Sequence, residues 1–165
     1  MACSSHPLPN TFLIPSVCEG TLRIVFDEKC GTEPEVENGR RILKFKKDGF
    51  LVLKTDIDDI LTTELSKGQN NDFYLVDSKG NKTRLTQIPD FKDRGDITPA
   101  IVVGGIGVSS SVVNTTNSQT TLVSGGATYM NFNLYNKNTT EIKDSFSSKK
   151  LDSLTNAAVS ACRSK

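Results

Sequence analysis

Across much of residues 21–85 apolar and polar side chains alternate with a period of two, the signature of strands that have one dry and one wet face. In residues 21–27 (TLRIVFD), Leu22, Ile24 and Phe26 fall on one side, while Thr21, Arg23 and Asp27 suit water. A sheet patterned this way must cover its dry face with a second layer, so a mainly β chain is expected. Within residues 41–54, two β-rich runs flank Lys46-Lys47-Asp48-Gly49, where Asp-Gly supplies the positive φ of a tight turn and predicts a hairpin. A second hairpin is expected in residues 72–88, around the turn formers Asp77-Ser78-Lys79-Gly80-Asn81. Between them, Ile57, Ile60, Leu61 and Leu65 approximate a helical spacing, and residues 56–71 read either as a short helix or as a long loop.

The pattern changes twice toward the C-terminus. Residues 97–136 carry no charge, in a chain that is 24% charged. They read as an apolar strand ending in glycines (97–108), a Ser/Thr/Asn-rich loop (109–121), and a strand with Met130, Phe132 and Leu134 on one face. A sharper alternative is a membrane-inserting hairpin like the stems of oligomeric pore-forming barrels, although the alternation breaks at Val112-Val113 and at residues 109–111. In the tail, Leu151, Leu154, Ala158 and Ala161 follow i, i+3, i+7, i+10, which predicts an amphipathic helix over 147–162, with Asp144, Ser145 or Ser147 as N-cap. A helix of that length is marginal alone, so it is expected to pack on the sheet.

A length of 165 residues suits one domain. A formal charge of +1 is too small for the basic footprint of nucleic-acid binding. With His6 as the one histidine, in a Pro-rich start, general-base catalysis has a single poor seat, so an enzyme is not expected. No run of about 18 apolar residues exists to cross a bilayer as a helix, and residues 1–10 lack the basic and apolar regions of a secretory signal. The opening Met1-Ala2-Cys3-Ser4-Ser5-His6 instead reads as an added Met-Ala before Cys3, the lipid-bearing first residue of a mature bacterial lipoprotein, with residues 1–10 as its tether.

The four cysteines, Cys3, Cys18, Cys30 and Cys162, include no C-x-x-C pair, and no metal site is expected. With Cys3 lipidated, at most one disulfide forms. Joining Cys162 to Cys30 or to Cys18 would tie the tail to the first strand region; Cys30 with Cys162 is preferred, and Cys18 stays open. Fully reduced thiols in a cytosolic protein are the rival reading.

Other constellations are weaker. Gly104-Gly105-Ile106-Gly107 lacks the G-x-G-x-x-G spacing of a phosphate loop and runs into β-branched valines. Asp56-Ile57-Asp58-Asp59 lacks the glycine and closing glutamate of a calcium loop. Asn81, Asn114 and Asn138 head N-x-T triplets that chance explains. A hydrolase built from carboxylates that meet only in the fold would need a deep acidic cleft.

Four segments together resemble a known pattern: TFLIPSVCEGTLRIVFD (11–27), PEVENGRRILK (34–44), KDGFLVL (47–53) and NDFYLVDSKGNKTRL (71–85). They resemble an uncharacterised bacterial domain family whose members are mostly lipoproteins or exported proteins of unknown function. Where members often carry Ile-Pro before the turn, this chain has Phe45-Lys46-Lys47. The resemblance supports the lipoprotein reading of Cys3 and implies no active-site residues. The expected fold is a single β-sandwich of about seven strands over residues 11–165, prealbumin-like or immunoglobulin-like, with the C-terminal helix docked on it. The expected function is non-enzymatic: a lipid-anchored envelope protein, outer-membrane or periplasmic, binding an unknown protein or glycan partner or acting as a scaffold. It would need no cofactor, and it would meet the membrane only through its lipid.

Overall fold

The structure, a computed structural model, describes residues 8–60, 71–109, 112–116, 119–124, 126–136 and 144–164. Two five-stranded sheets pack face to face. Sheet I runs β3 (Glu35–Glu37), β4 (Arg40–Lys44), β1 (Asn10–Pro15), β6 (Asn71–Val76), β7 (Lys82–Arg84). Sheet II runs β5 (Phe50–Val52), β2 (Gly20–Val25), β12 (Thr128–Tyr135), β9 (Ala100–Val108), β8 (Thr86–Ile88). A separate antiparallel pair, β10 (Val112–Thr116) and β11 (Gln119–Ser124), a short helix α1 (Ile57–Ile60) and a long helix α2 (Asp144–Arg163) complete the described elements. The result is a β-sandwich with a helix laid against sheet II.

Alternation explains the dry interior. Register places Phe12 beside both Leu43 and Phe73 in sheet I, and Phe132 beside Leu22 in sheet II, so each row faces the other sheet. Phe12 stacks on Phe73 with ring centroids 4.5 Å apart, and Phe132 reaches across to Phe12 at 5.5 Å and to Phe45 and Phe73 at 6.0 Å. Ile14, Ile24, Leu43, Leu53, Ile101 and Leu134 fill the rest of this layer, all buried.

The turn at residues 46–49 forms, with Gly49 at φ +75° and its N–H donating to Lys46 O at 3.0 Å. It is not a hairpin. β4 pairs parallel to β1 in sheet I, and β5 pairs parallel to β2 in sheet II, so the turn is an arch carrying the chain between sheets. Leu43 and Leu51 each put a dry face into the same core from opposite sides, which a flat hairpin would forbid. The hairpin at 77–81 does form: β6 pairs antiparallel to β7, and the Asp77 carboxylate accepts from the backbone N–H groups of Lys79 and Asn81 and from Asn81 Nδ2, each at 2.8 Å. The bonds from Asn81 hold the Asp77 carboxyl below its ordinary value. A further hairpin joins β3 to β4 through Asn38 and Gly39, both at positive φ, as a two-residue primed turn demands.

Residues 57–60 form a helical turn, and residues 61–70 of the ambiguous span lie outside the described residues. The expected polar loop at 109–121 is corrected by the β10–β11 pair, which falls within and just beyond it. The helix begins at Asp144 and ends at Arg163, and its buried side is Leu151, Thr155, Val159 and Cys162; Ala161 is exposed.

Close backbone approaches make glycine necessary at Gly31, as they do at Gly104 and Gly126. A Cβ on Gly31 would overlap the Leu53 carbonyl carbon and lie 2.6 Å from Lys54 N, whereas one on Gly105 would meet nothing within 4 Å. Gly31→Ala is expected to destabilise the fold by about 1–3 kcal/mol, as overpacking does. Gly105→Ala should be neutral or slightly stabilising. Equilibrium urea unfolding of the two variants checks the contrast.

Candidate functional site

The densest grouping of charge and sulfur lies where α2 ends against the strand-exit loop after β2. Beyond Val25 the chain turns through Asp27 at φ +56°, and Gly31 N donates to Glu28 O at 2.7 Å. Glu28 N and Thr32 N bond to Leu53 O and Val52 O, which fixes the loop to the chain through and just beyond β5. Cys30 is thereby presented to the last turn of α2, where it is bonded to Cys162 with Cα atoms 5.1 Å apart. Beside it, the Glu28 carboxylate is 1% exposed and receives both arms of the Arg163 guanidinium, Nη2 at 2.6 Å and Nε at 3.2 Å. Such a two-pronged, charge-assisted contact fixes orientation as well as energy. Asp27, Glu28, Lys29, Cys30, Cys162 and Arg163 line a concavity of about 700 Å³.

A second contact pins the middle of α2. Arg23, expected to face water, is 2% exposed. Its guanidinium donates to Asn131 Oδ1 at 2.9 Å, to Asp152 at 2.6 Å and to Thr155 Oγ1 at 3.2 Å, and lies 4.0 Å from the Tyr129 ring centroid. Thr155 in turn donates to Leu151 O at 2.7 Å. The wet face of β2 is therefore covered by a helix. An apolar cluster of Val25, Phe50, Ala127, Leu151 and Val159 surrounds this contact.

The arrangement does mechanical work. A covalent bond, a bidentate ion pair on the buried Glu28 and an arginine under the helix hold α2 to sheet II at two heights. The Glu28–Arg163 pair leaves no pattern in the sequence, since 135 residues separate its members. The Arg23 contact had one signal, an amphipathic helix that needed a face of the sheet to dock on.

Cys18, the other candidate for a disulfide, is a free thiol, 4% exposed, with Sγ at 3.6 Å from Lys46 O and Lys47 O. Burial pushes its pKa up, so it is a poor thiolate as well as a hidden one. In a Cys3→Ala variant, Cys18 is expected to resist a disulfide reagent in the native protein and to react fully in urea; fast native reaction would contradict the placement. Cys3 and His6 lie outside the described residues. Gly104 and Gly107 sit inside β9, where a Cβ would lie 2.7 Å from Asn131 O and 2.6 Å from the Tyr129 hydroxyl, respectively. These glycines serve strand packing. Asp56 caps α1, its carboxylate accepting from Asp58 N at 3.0 Å. Among the described residues no three His, Cys, Asp or Glu gather as metal ligands, and no helix is long and apolar enough to cross a membrane.

The profile of one family, described as "Family of unknown function (DUF6843)", matches residues 7–146. No curated protein matches the chain. Among solved structures the chain is similar to a crystal structure of a "Putative Lipoprotein from Bacillus anthracis", with 19% identity, a TM-score of 0.52, and coverage of 92% of this chain and 94% of that one. That likeness is one of fold.

Proposed function

The chain belongs to the family of unknown function DUF6843, and from that premise we propose that it is a non-enzymatic, exported lipoprotein of the bacterial cell envelope. Lipid on Cys3 holds it at a membrane, and the sandwich acts as a binding or scaffold module for a protein or glycan. The observation that carries this reading is the Cys30–Cys162 disulfide, which ties the last turn of α2 to the loop after β2. Structural disulfides persist in oxidising compartments, which favours export over the cytosol. The shared fold with the Bacillus anthracis protein supports the same reading.

Anchoring through one acyl chain is marginal, so the stable attachment proposed here requires the several chains that lipoprotein maturation adds. Expressed in a bacterium from its native gene, the protein is expected in the membrane fraction, and the Cys3→Ala variant in the soluble fraction with an unchanged fold. Equal partitioning of both forms would overturn the anchor.

A further inference from the structure

Both outer strands of sheet I are short, exposed and charged, with opposite signs. β3 is Glu35-Val36-Glu37 and β7 is Lys82-Thr83-Arg84, and among the described residues no strand pairs on the far side of either. Charge on an edge strand ordinarily keeps a second chain from adding to it. Here the charge repels a like edge and fits the unlike one.

The bonds inside the sheet fix which backbone groups the edges present. Arg41 N and Phe45 N donate to Pro9 O and Leu13 O, so alternate residues of β4 turn toward β1, while Arg40 and Ile42 turn their backbone groups to Glu37 and Glu35. The N–H and C=O of Val36 therefore point away from the sheet. In β7, Leu85 N donates to Phe73 O and Asn81 O accepts from Asp77 N, so residues 81, 83 and 85 turn toward β6. The N–H and C=O groups of Lys82 and Arg84 point outward. β3 and β7 both run opposite to β1, and so run the same way as each other. Their charged side chains also share a face: Glu35 is in register with Ile42 and Thr11, and Arg84 with Tyr74 and Leu13, on the side of β1 opposite Phe12.

From this match in direction, backbone phase, face and charge we infer that sheet I continues from one copy of this chain to the next, β7 of one molecule pairing parallel with β3 of another. Val36 comes opposite Thr83, its N–H donating to Lys82 O and its C=O accepting from Arg84 N, the slanted pattern of a parallel ladder. That register sets Glu35 beside Lys82 and Glu37 beside Arg84. The same edges pair badly with themselves: antiparallel β3 with β3 puts Glu35 against Glu37, and β7 with β7 puts Lys82 against Arg84. The ion pairs within the sheet, Lys44 with Glu35 and Arg84 with Asp72, leave room for a second partner, since the Glu35 and Arg84 side chains are 63% and 71% exposed and each group can bond several partners. Because the two edges differ, the contact is head-to-tail and does not close, so copies add in open rows. Lys82 stands level with Pro15 and Glu35 with Thr11, so each copy is displaced along the strands by four residues, about 13 Å. Exposed ion pairs are individually weak and screened by salt, so the rows form where copies are concentrated. The inference goes beyond the envelope reading and holds with or without the lipid.

The test uses full-length chains carrying Cys3→Ala, in which Cys18 is buried and Cys30 is bonded to Cys162, so one added thiol is the accessible one. One chain carries Val36→Cys and the other Thr83→Cys, both at exposed positions. A short bis-maleimide is added in low salt, at high protein concentration, to each variant alone and to their mixture. Covalent dimers are expected in the mixture and in neither variant alone, and they are expected to vanish in about 1 M salt, where the Debye length is about 3 Å. Lys82→Glu on the Thr83→Cys chain should remove them, and Glu35→Lys on the Val36→Cys chain should then restore them, a recovery that a misfolded chain would not give. No dimer in the mixture overturns the pairing and leaves the charges as edge protection alone. Dimers as abundant in either variant alone, or indifferent to salt and charge reversal, overturn the register.

Discussion

Breaking the Cys30–Cys162 bond is expected to lower the unfolding free energy by about 4–5 kcal/mol. The bond joins residues 132 apart, and in the chain-entropy description a closed loop of that length restricts the unfolded ensemble by about 5 kcal/mol. For a domain of this size such a loss lowers the midpoint of thermal unfolding by about 10–20 °C. The native contacts that remain are the Glu28–Arg163 ion pair, the Arg23 network and the Leu151 and Val159 packing. They keep α2 docked at low temperature, so far-ultraviolet circular dichroism of the reduced, alkylated protein should be close to native at 10 °C and diverge on heating. Urea titrations of the oxidised protein and of a Cys30→Ser/Cys162→Ser variant measure the difference. A shift below about 1 kcal/mol would mean that the unfolded chain is already restrained, or that the bond strains the native state as much as it restricts the unfolded one.

Phe132→Ala should cost about 3–5 kcal/mol, the range for removing a fully buried aromatic ring. Phe132 has no exposure and touches three other rings, two from sheet I and one at the arch, so its removal opens a cavity where the two sheets and the turn between them meet. Phe132→Leu keeps most of the volume and is expected to cost under about 1.5 kcal/mol. Phe91→Ala serves as the comparison, because Phe91 pairs only with Tyr135 at 5.1 Å among the ring contacts of the described residues and is partly exposed. If Phe91→Ala cost as much as Phe132→Ala, the core would not be centred between the sheets.

What was legible in the sequence was the inward face of β2 and of β12 and the turns at 46–49 and 77–81, because alternation and turn chemistry are local; the turn at Asn38-Gly39 and the β10–β11 pair were not read. Leu22, Ile24, Met130, Phe132 and Leu134 all point where their alternation places them. Partnership was not legible. Asp48-Gly49 marks a reversal equally well whether the next strand pairs back or crosses to the facing sheet, and the choice depended on Leu43 and Leu51 sharing one core from opposite sides. The parallel neighbours of β1, namely β4 and β6, are distant in sequence and carry no local signature. Arg23 shows the limit of reading a polar residue as wet: alternation says which face it is on, and only the docked helix says that the face is covered. The absence of charge in residues 97–136 was visible at once, yet its geometry as strand, hairpin and strand depended on the long pairing of β9 with β12.

For the site, cysteine arithmetic restricted the pairing to a few choices, while the companion ion pair of Glu28 and Arg163 had no sequence signal and emerged from the fold. The mechanical character of this corner, a helix end bolted to a strand-exit loop, follows from the two contacts standing side by side.

The central claim is that this is a lipid-anchored, disulfide-closed envelope protein, and the intact mass of the protein made from its full native gene tests it most directly. The account predicts recovery from the membrane fraction, an added mass of several acyl chains on Cys3, and a gain of two hydrogens on reduction. A soluble, unmodified chain with four free thiols would contradict it.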